Sequence, residues 1–289
     1  MELSKGTSKL VAESLAIEQE AATEAGALGY MARALVQATI PHSRTEGTTF
    51  VRTNGDYRLS IISTTGLPYG SIPRLLLAWL ATEAVRTKSR EIVLGGSLSE
   101  FMGHLDMVPT GGTTGSITRL KSQTSRLFSS MIQCSYTTAE RHAVKSILVA
   151  DEADLWWSPS SPHQQSIVDS TVKLSQSFYD EIINNPVPID IRALKALKKS
   201  PMALDVYCWS TYRVSYLKDR AFIPWEGLQN QFGSSYATTL RGKRNFKSSF
   251  IEALKKVSLV YPGLNADPQQ DGLTLFPSRT HIPRKKRHE

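Results

Sequence analysis

The chain repeats itself at a distance of 130 residues. Trp79 and Trp209, Leu98 and Leu228, Met102 and Phe232, Gly112 and Gly242, Leu120 and Phe250, and Leu127 and Val257 all stand 130 positions apart. One offset held across several expected elements is the mark of a duplicated unit. Such a chain is expected to fold as two related units in tandem, and 289 residues suffice for each to bury a core.

The first unit opens with a hairpin signal. Phe50–Arg52 and Tyr57–Ser63 read as strands around Asn54-Gly55-Asp56. Ser71 is a candidate cap for a helix running to about Lys88, with Pro73 in its first turn and Leu75, Ala78, Trp79, Thr82 and Val85 as its inner side. A short strand at Glu91–Leu94 follows. Ser97 and Glu100 then have the spacing of a capping box for a short helix. Past the Pro109–Gly112 break, a helix carries Ile117, Leu120, Thr124, Leu127 and Met131 on one side and Arg119, Gln123 and Arg126 on the other. Strands near 133–138 and 143–149 close the unit. The order helix, turn, helix, β-hairpin describes a winged helix.

The second unit has the same plan. Pro186–Asp190 reads as a turn, with Asp190 capping a helix over Ile191–Lys199, and Ser200-Pro201 starts a long helix to about Leu217. A short strand-like piece at Phe222–Trp225 and a helix over Trp225–Phe232 follow. The helix Gly242–Val257 is next, and strands at Leu259–Tyr261 and Leu273–Phe276 stand where a second wing belongs. The expected fold class is therefore α+β, mainly helical, with tandem winged-helix domains. A helical or partly disordered arm spans 1–45, the domains span 46–160 and 161–283 with a seam at Trp156–Pro162, and a basic tail occupies 284–289.

Charge separates the two units. Residues 1–60 hold 6 Lys/Arg against 7 Asp/Glu, whereas residues 241–289 hold 11 against 4. A net charge of +8 placed mostly at one end favours a polyanionic partner over a general solubility effect. Within Arg241–Val257, Phe246, Phe250, Leu254 and Val257 form an apolar stripe, and Arg241, Lys243, Arg244, Lys247, Lys255 and Lys256 form the basic remainder. A solvated helix face and a DNA-reading helix both fit this pattern, and the helix-turn-helix order before it favours the second.

The sequence lacks the constellations of common chemistries. Gly111–Ser116 has no Lys-Ser/Thr ending, so it does not make an ATP-binding phosphate loop. His281-Ile282-Pro283-Arg284 has the His-x-x-Arg spacing of a tyrosine recombinase, but no tyrosine follows. Asp151–Asp154 reads as an exposed acidic loop. Cys134 and Cys208 are isolated, which disfavours structural zinc. No catalytic residues, metal or cofactor are expected. The longest apolar run, Leu75–Ala81, is far short of a membrane span, and no basic-then-apolar leader opens the chain, so a cytoplasmic protein is expected.

Longer strings carry a family resemblance: LPYGSIPRLLLAWL at 67–80, REIVLGGSLSEFM at 90–102, GGTTGSITRLKSQTSRLF at 111–128, PVPIDIRALKALKKSPMALDVYCWSTYR at 186–213 and PWEGLQNQFGSSY at 224–236. Here the chain resembles the plasmid replication initiators of the RepA type from Gram-negative bacteria. The resemblance implies a protein that binds repeated sites (iterons) in double-stranded DNA at a plasmid origin. It further implies opening of adjacent AT-rich DNA, recruitment of the host replicative helicase and host initiator, and dimerisation through the first domain.

Charge and helix geometry supply the candidate DNA contacts. In the second unit these are Arg244, Lys247, Ser248 and Ile251 toward bases, with Arg241, Lys243 and Lys255 toward phosphates. In the first unit they are Arg119, Ser122, Gln123 and Arg126. The tail residues Arg284, Lys285, Lys286 and Arg287 add sequence-independent affinity. A winged-helix transcriptional repressor or partition adaptor is the alternative. A DNA-processing enzyme fits the residues less well.

Overall fold

The computed structural model describes residues 5–37, 39–155, 161–164 and 169–283. It is a mixed α/β protein with ten helices and twelve strands among the described residues. The arm contributes α1 (Lys5–Gln19), β1 (Leu28–Ala32) and α2 (Arg33–Gln37). The expected hairpin follows as β2 (Thr49–Asn54) and β3 (Tyr57–Ser63). Asn54 pairs with Tyr57 across a two-residue turn in which Gly55 takes φ 57°, a left-handed conformation that suits glycine.

Then come α3 (Ser71–Thr87), β4 (Glu91–Gly95), α4 (Leu98–His104), α5 (Ser116–Phe128), β5 (Ser130–Thr137), β6 (His142–Leu148), β7 (Ala150–Asp154) and β8 (Ser170–Leu174). The second half holds α6 (Gln176–Asn184), β9 (Pro186–Asp190), α7 (Ile191–Leu197), α8 (Pro201–Val214), β10 (Ala221–Pro224), α9 (Trp225–Phe232), α10 (Leu240–Val260), β11 (Ala266–Pro268) and β12 (Gly272–Leu275). Side chains of Ser97, Ser175, Asp190, Ser200 and Thr239 accept from a backbone N–H two or three residues on and so fix the starts of α4, α6, α7, α8 and α10. Ser71 does not act this way. Gly70, at φ 79°, is the cap of α3 and has no side chain to offer.

Helix α3 is the central element. Leu76, Leu77, Leu80, Ala81 and Ala84 are buried, as are Leu75 and Ala78, while Trp79, Thr82 and Val85 are only half-buried. The expected inner side is thus the less covered flank of a helix that is apolar nearly all round, as a helix enclosed by neighbours must be. It packs against β1, α5, α6 and α8.

The segment Pro186–Asp190, expected as a turn, is a strand antiparallel to β1, from Leu28↔Asp190 to Ala32↔Pro186. Two prolines are tolerated because they share one parity. The Asp190 N–H points away from β1 and donates to the Tyr207 hydroxyl at 2.9 Å, so the missing N–H groups of Pro186 and Pro188 face that outer side. The Ile191 N–H on the other parity bonds Ala27 O at 2.9 Å.

The repeat is visible as topology. α3 and α8 begin 130 residues apart (71 and 201), as do β4 and β10 (91 and 221). Each pair is followed by two further helices, and the associated sheets have the orders β4-β8-β7 and β10-β12-β11, with the last strand in the middle. Trp79 meets Phe101 edge-on at 5.6 Å, and Trp209 meets Phe232 edge-on at 5.7 Å.

The strands expected as the first wing do pair with each other as β5 and β6, but β5 also pairs with β3, giving the four-stranded sheet β2-β3-β5-β6. Ile132, Cys134 and Ile147 face the core from the same side as Leu59 and Ile61, which fixes that register. The strands β7 and β8 belong to a separate sheet with β4. Most of the seam at Trp156–Pro162 lies outside the described residues, and beyond it the chain returns to lay β8 between β4 and β7. In the second half α10 continues through Val260, with Tyr261 at its cap, where a strand was expected. Burial of Val257 and Val260 on the stripe of Phe246, Phe250 and Leu254 outweighs the strand preference of Leu-Val-Tyr. Buried residues of both halves form one apolar cluster.

Candidate nucleic-acid interface

Helix α10 begins at Thr239, whose hydroxyl accepts from the Gly242 N–H at 3.2 Å. Gly242 is required by close approach, since a Cβ there would lie 2.0 Å from Ala237 O. Its apolar face is locked by aromatic edges: Phe246 to Phe250 at 5.8 Å, Phe232 to Phe250 at 5.5 Å, Trp225 to Phe250 at 5.8 Å and Tyr236 to Phe246 at 5.6 Å.

The opposite face is open. Arg241, Arg244, Ser248 and Lys255 are exposed and Ile251 is half-buried. Steps of three and four residues place these five in one stripe along the helix. Lys243 is exposed on a flank, beside a cleft it shares with β2.

Lys247 has a different position. Its ammonium donates to Gln270 O at 2.7 Å and sits 5.1 Å from the centre of the Trp225 ring. The Trp225 indole N–H is shared between Gln269 O and Gln270 O at 3.2 and 3.1 Å. Lys247 and Trp225 together tie the β11–β12 turn to the helix. Lys256 is paired with Glu252 at 2.7 Å, which leaves the other side of α10 close to neutral.

In the first unit the structure separates the four candidates. Arg119 and Ser122 are exposed. Gln123 is buried, and its Oε1 accepts from the Tyr69 N–H at 2.8 Å. Arg126 is half-buried, donates to Leu67 O at 3.2 Å and lies 5.7 Å from the centre of the Tyr69 ring. It also packs on Gly66, at φ 96°, where a Cβ would come within 2.6 Å of the guanidinium. Arg119, Gln123 and Arg126 share a helix face as expected, but the 66–69 segment covers its upper part, and periodicity within α5 carries no sign of that.

The glycine-rich start of α5 is a structural loop. Ser116 Oγ donates to Val108 O at 2.7 Å and accepts from the Thr110 N–H at 2.8 Å, while Ser116 N–H donates to Thr110 Oγ1 at 2.8 Å. Arg119 lines a depression of about 590 Å³ with Lys198 and Lys199 of the turn after α7. Lys198 is held by Asp106, and Lys199 is exposed. Periodicity within α5 gives no sign of Lys199, because the depression joins segments some 80 residues apart in sequence.

Arg284–Arg287 lie outside the described residues. The root of that tail is fixed: the Tyr261 hydroxyl donates to Arg279 O at 2.7 Å, the Tyr207 hydroxyl donates to His281 Nδ1 at 2.7 Å, and His281 stacks on Tyr261 at 4.6 Å. Residues 279–281 therefore lie against the C-terminal cap of α10. Cys134 and Cys208 are both buried and unpaired. Among the described residues no three His, Cys, Asp or Glu side chains group as metal ligands, and no helix is long and apolar enough to cross a membrane.

The fold has solved counterparts. It is similar to domains 2 and 3 of RctB in a selenomethionine crystal structure, with a TM-score of 0.54, 10% identity, and coverage of 84% of this chain and 98% of that one. A second RctB structure of domains 2–3 gives a TM-score of 0.50 at 11% identity, covering 83% and 93%. At such identities the likeness is one of fold. No curated protein sequence matches the chain. The family model described as plasmid encoded RepA protein matches residues 67–226. That stretch is more than half of the chain and runs from the segment held by Arg126 through α3, α5 and α8 to the start of α9, and so the chain belongs to the plasmid-encoded RepA protein family.

Proposed function

We propose that the chain initiates plasmid replication by binding repeated sites at the origin in a sequence-specific, non-enzymatic way. The observation that carries this reading is the stripe Arg241, Arg244, Ser248, Ile251 and Lys255, open to solvent on a helix whose other face is immobilised, in a member of the RepA family. An α-helix fits the major groove of B-DNA, and arginines on its open face reach base edges and flanking phosphates. Each half is a winged-helix unit in this reading, with the β11–β12 turn as the wing that follows the backbone beside α10. Arg119 and Ser122 on α5 of the first unit, with Lys199 after α7 of the second, contact phosphates. Gln123 and Arg126 serve the 66–69 segment instead. Arg284–Arg287 neutralise further phosphates, which predicts a steeper salt dependence with the tail than without it.

The chain acts in the cytoplasm, opens AT-rich DNA next to its sites, and engages the host replicative helicase and host initiator. It forms a homodimer through the outer face of the β2-β3-β5-β6 sheet. There Ile62, Met131 and Leu148 pair in one row across three strands and are exposed by 39, 36 and 43%. A DNase I footprint on the DNA flanking the gene tests the reading: protection of regularly repeated segments is expected, and protection of a single promoter site alone points to a repressor. A plasmid carrying those repeats is expected to persist when this gene is the only one supplied. A nicking assay with Mg²⁺ on supercoiled origin DNA is expected to show no cleavage.

A further inference from the structure

A cleft of about 870 Å³ separates the β2 edge from α9, the loop after it and the start of α10. Arg52, Thr45, Ser234 and Lys243 line it. Arg52 is 7% exposed, on the same inward parity of β2 as Phe50. One terminal nitrogen donates to the carbonyls that end α9, Asn230 O at 3.1 Å and Gln229 O at 3.5 Å. Its Nε and its other terminal nitrogen have no hydrogen-bond partner, and the guanidinium lies 5.6 Å from the centre of the Phe50 ring. Thr45 Oγ1 and Ser234 Oγ are also buried without partners. Asp205, the acid closest in electrostatic effect, is committed to Arg74 and His42. Burial accordingly pulls the Arg52 guanidinium down to about 10.

A guanidinium removed from water with idle N–H groups and no carboxylate is a costly arrangement unless something binds it. Two residues with idle hydroxyls and an exposed lysine, all lining the same cleft as Arg52, offer donors of the kind a tetrahedral oxyanion takes. Glu46 and Glu226 also line the cleft, and both are exposed, so they leave the buried end cationic. We propose that this cleft is a phosphate-binding site, in which Arg52, Thr45 and Ser234 hold a phosphate group and Lys243 attracts it. The phosphate is either the free ion or a phosphodiester of nucleic acid seated beside the start of α10. The site does not depend on α10 reading bases.

The test is a titration of the full chain with inorganic phosphate at constant ionic strength, chloride replacing phosphate, followed by ³¹P NMR line width and by melting temperature. Wild type is expected to show saturable binding and a rise in melting temperature. Thr45→Val/Ser234→Ala, which keeps the Arg52 bonds to α9, is expected to bind phosphate at least tenfold more weakly while melting cooperatively without phosphate. Arg52→Gln is expected to abolish saturation. Displacement of bound phosphate by a short duplex assigns the site to backbone phosphodiester, and simultaneous binding assigns it to the free ion; either supports the site. Absence of saturable binding to wild type, or unchanged binding in the double variant, overturns it.

Discussion

Arg74 and Asp205 form a bidentate pair, Nε to Oδ1 at 2.8 Å and a terminal nitrogen to Oδ2 at 2.7 Å, between α3 and α8. The remaining guanidinium N–H groups go to Gly70 O at 2.6 Å, Pro41 O at 3.1 Å and Ile40 O at 2.6 Å, so all five donors are used. His42 Nε2 donates to the same Asp205 oxygen at 2.7 Å. Burial disfavours the Asp205 carboxylate, but Arg74 and His42 outweigh it and hold the pKa below the usual range. One pair thus clamps the long helices of both halves and the chain after α2. Asp205→Ala leaves the guanidinium buried and unpaired. It is expected to cost about 3–5 kcal/mol of stability, read as a lower urea midpoint, with both halves losing structure together.

A second prediction concerns acid. Burial lowers His281 from 6.5 to about 4, so the folded state holds it neutral as acceptor for Tyr207. The unfolded chain takes up the proton first as pH falls. The contribution is complete above pH 6.5 and is lost between 6.5 and about 4, on the order of 3 kcal/mol over that window. His42 is lowered too, by burial, and adds to the same slope. His281→Gln is expected to flatten the change of urea midpoint with pH between 6.5 and 4. An unaltered slope contradicts this origin.

Lys247 and Arg244 separate bracing from reading. Lys247→Ala is expected to free the turn at Gln269–Asp271, seen as faster proteolytic cutting or amide exchange there, with DNA affinity reduced similarly for cognate and unrelated duplexes. Arg244→Ala is expected to leave the turn protected. Equal protection of the turn in Lys247→Ala and wild type would show that the Gln270 and Trp225 contacts carry no weight.

For the sheet face, Met131→Lys places a charge in the row Ile62–Met131–Leu148. Across a symmetric contact it would face its own copy, so sedimentation is expected to show at least tenfold weaker self-association with unchanged melting temperature. A wild-type chain that stays monomeric at high concentration removes the proposed dimer face.

Much of the fold was legible because periodicity and turn chemistry are local. The β2–β3 hairpin, the Ser97 cap, the Asp190 cap and the α10 stripe all follow from residues within a turn or two of each other. What was not legible depends on distant partners. Pro186–Asp190 becomes a strand only because β1 supplies an edge far upstream, Leu28 pairing with Asp190 162 residues away across that edge. Gln123 and Arg126 face inward only because the 66–69 segment lies over α5. Arg52 was legible only as part of a strand: its inward side, shared with buried Phe50, and the cleft it lines depend on α9 and α10 from the far end of the chain.

The central claim is that the open stripe of α10 reads DNA. Its most direct test is a gel-shift titration at one fixed salt concentration, using the footprinted repeat and an unrelated duplex, with wild type, Arg244→Ala and Lys256→Ala. Arg244→Ala is expected to lose about 1–3 kcal/mol on the repeat, roughly 5- to 150-fold in Kd, with a much smaller loss on the unrelated duplex. Lys256→Ala, whose charge is paired with Glu252, is expected to bind like wild type. Wild-type affinity of Arg244→Ala for the repeat would contradict the account.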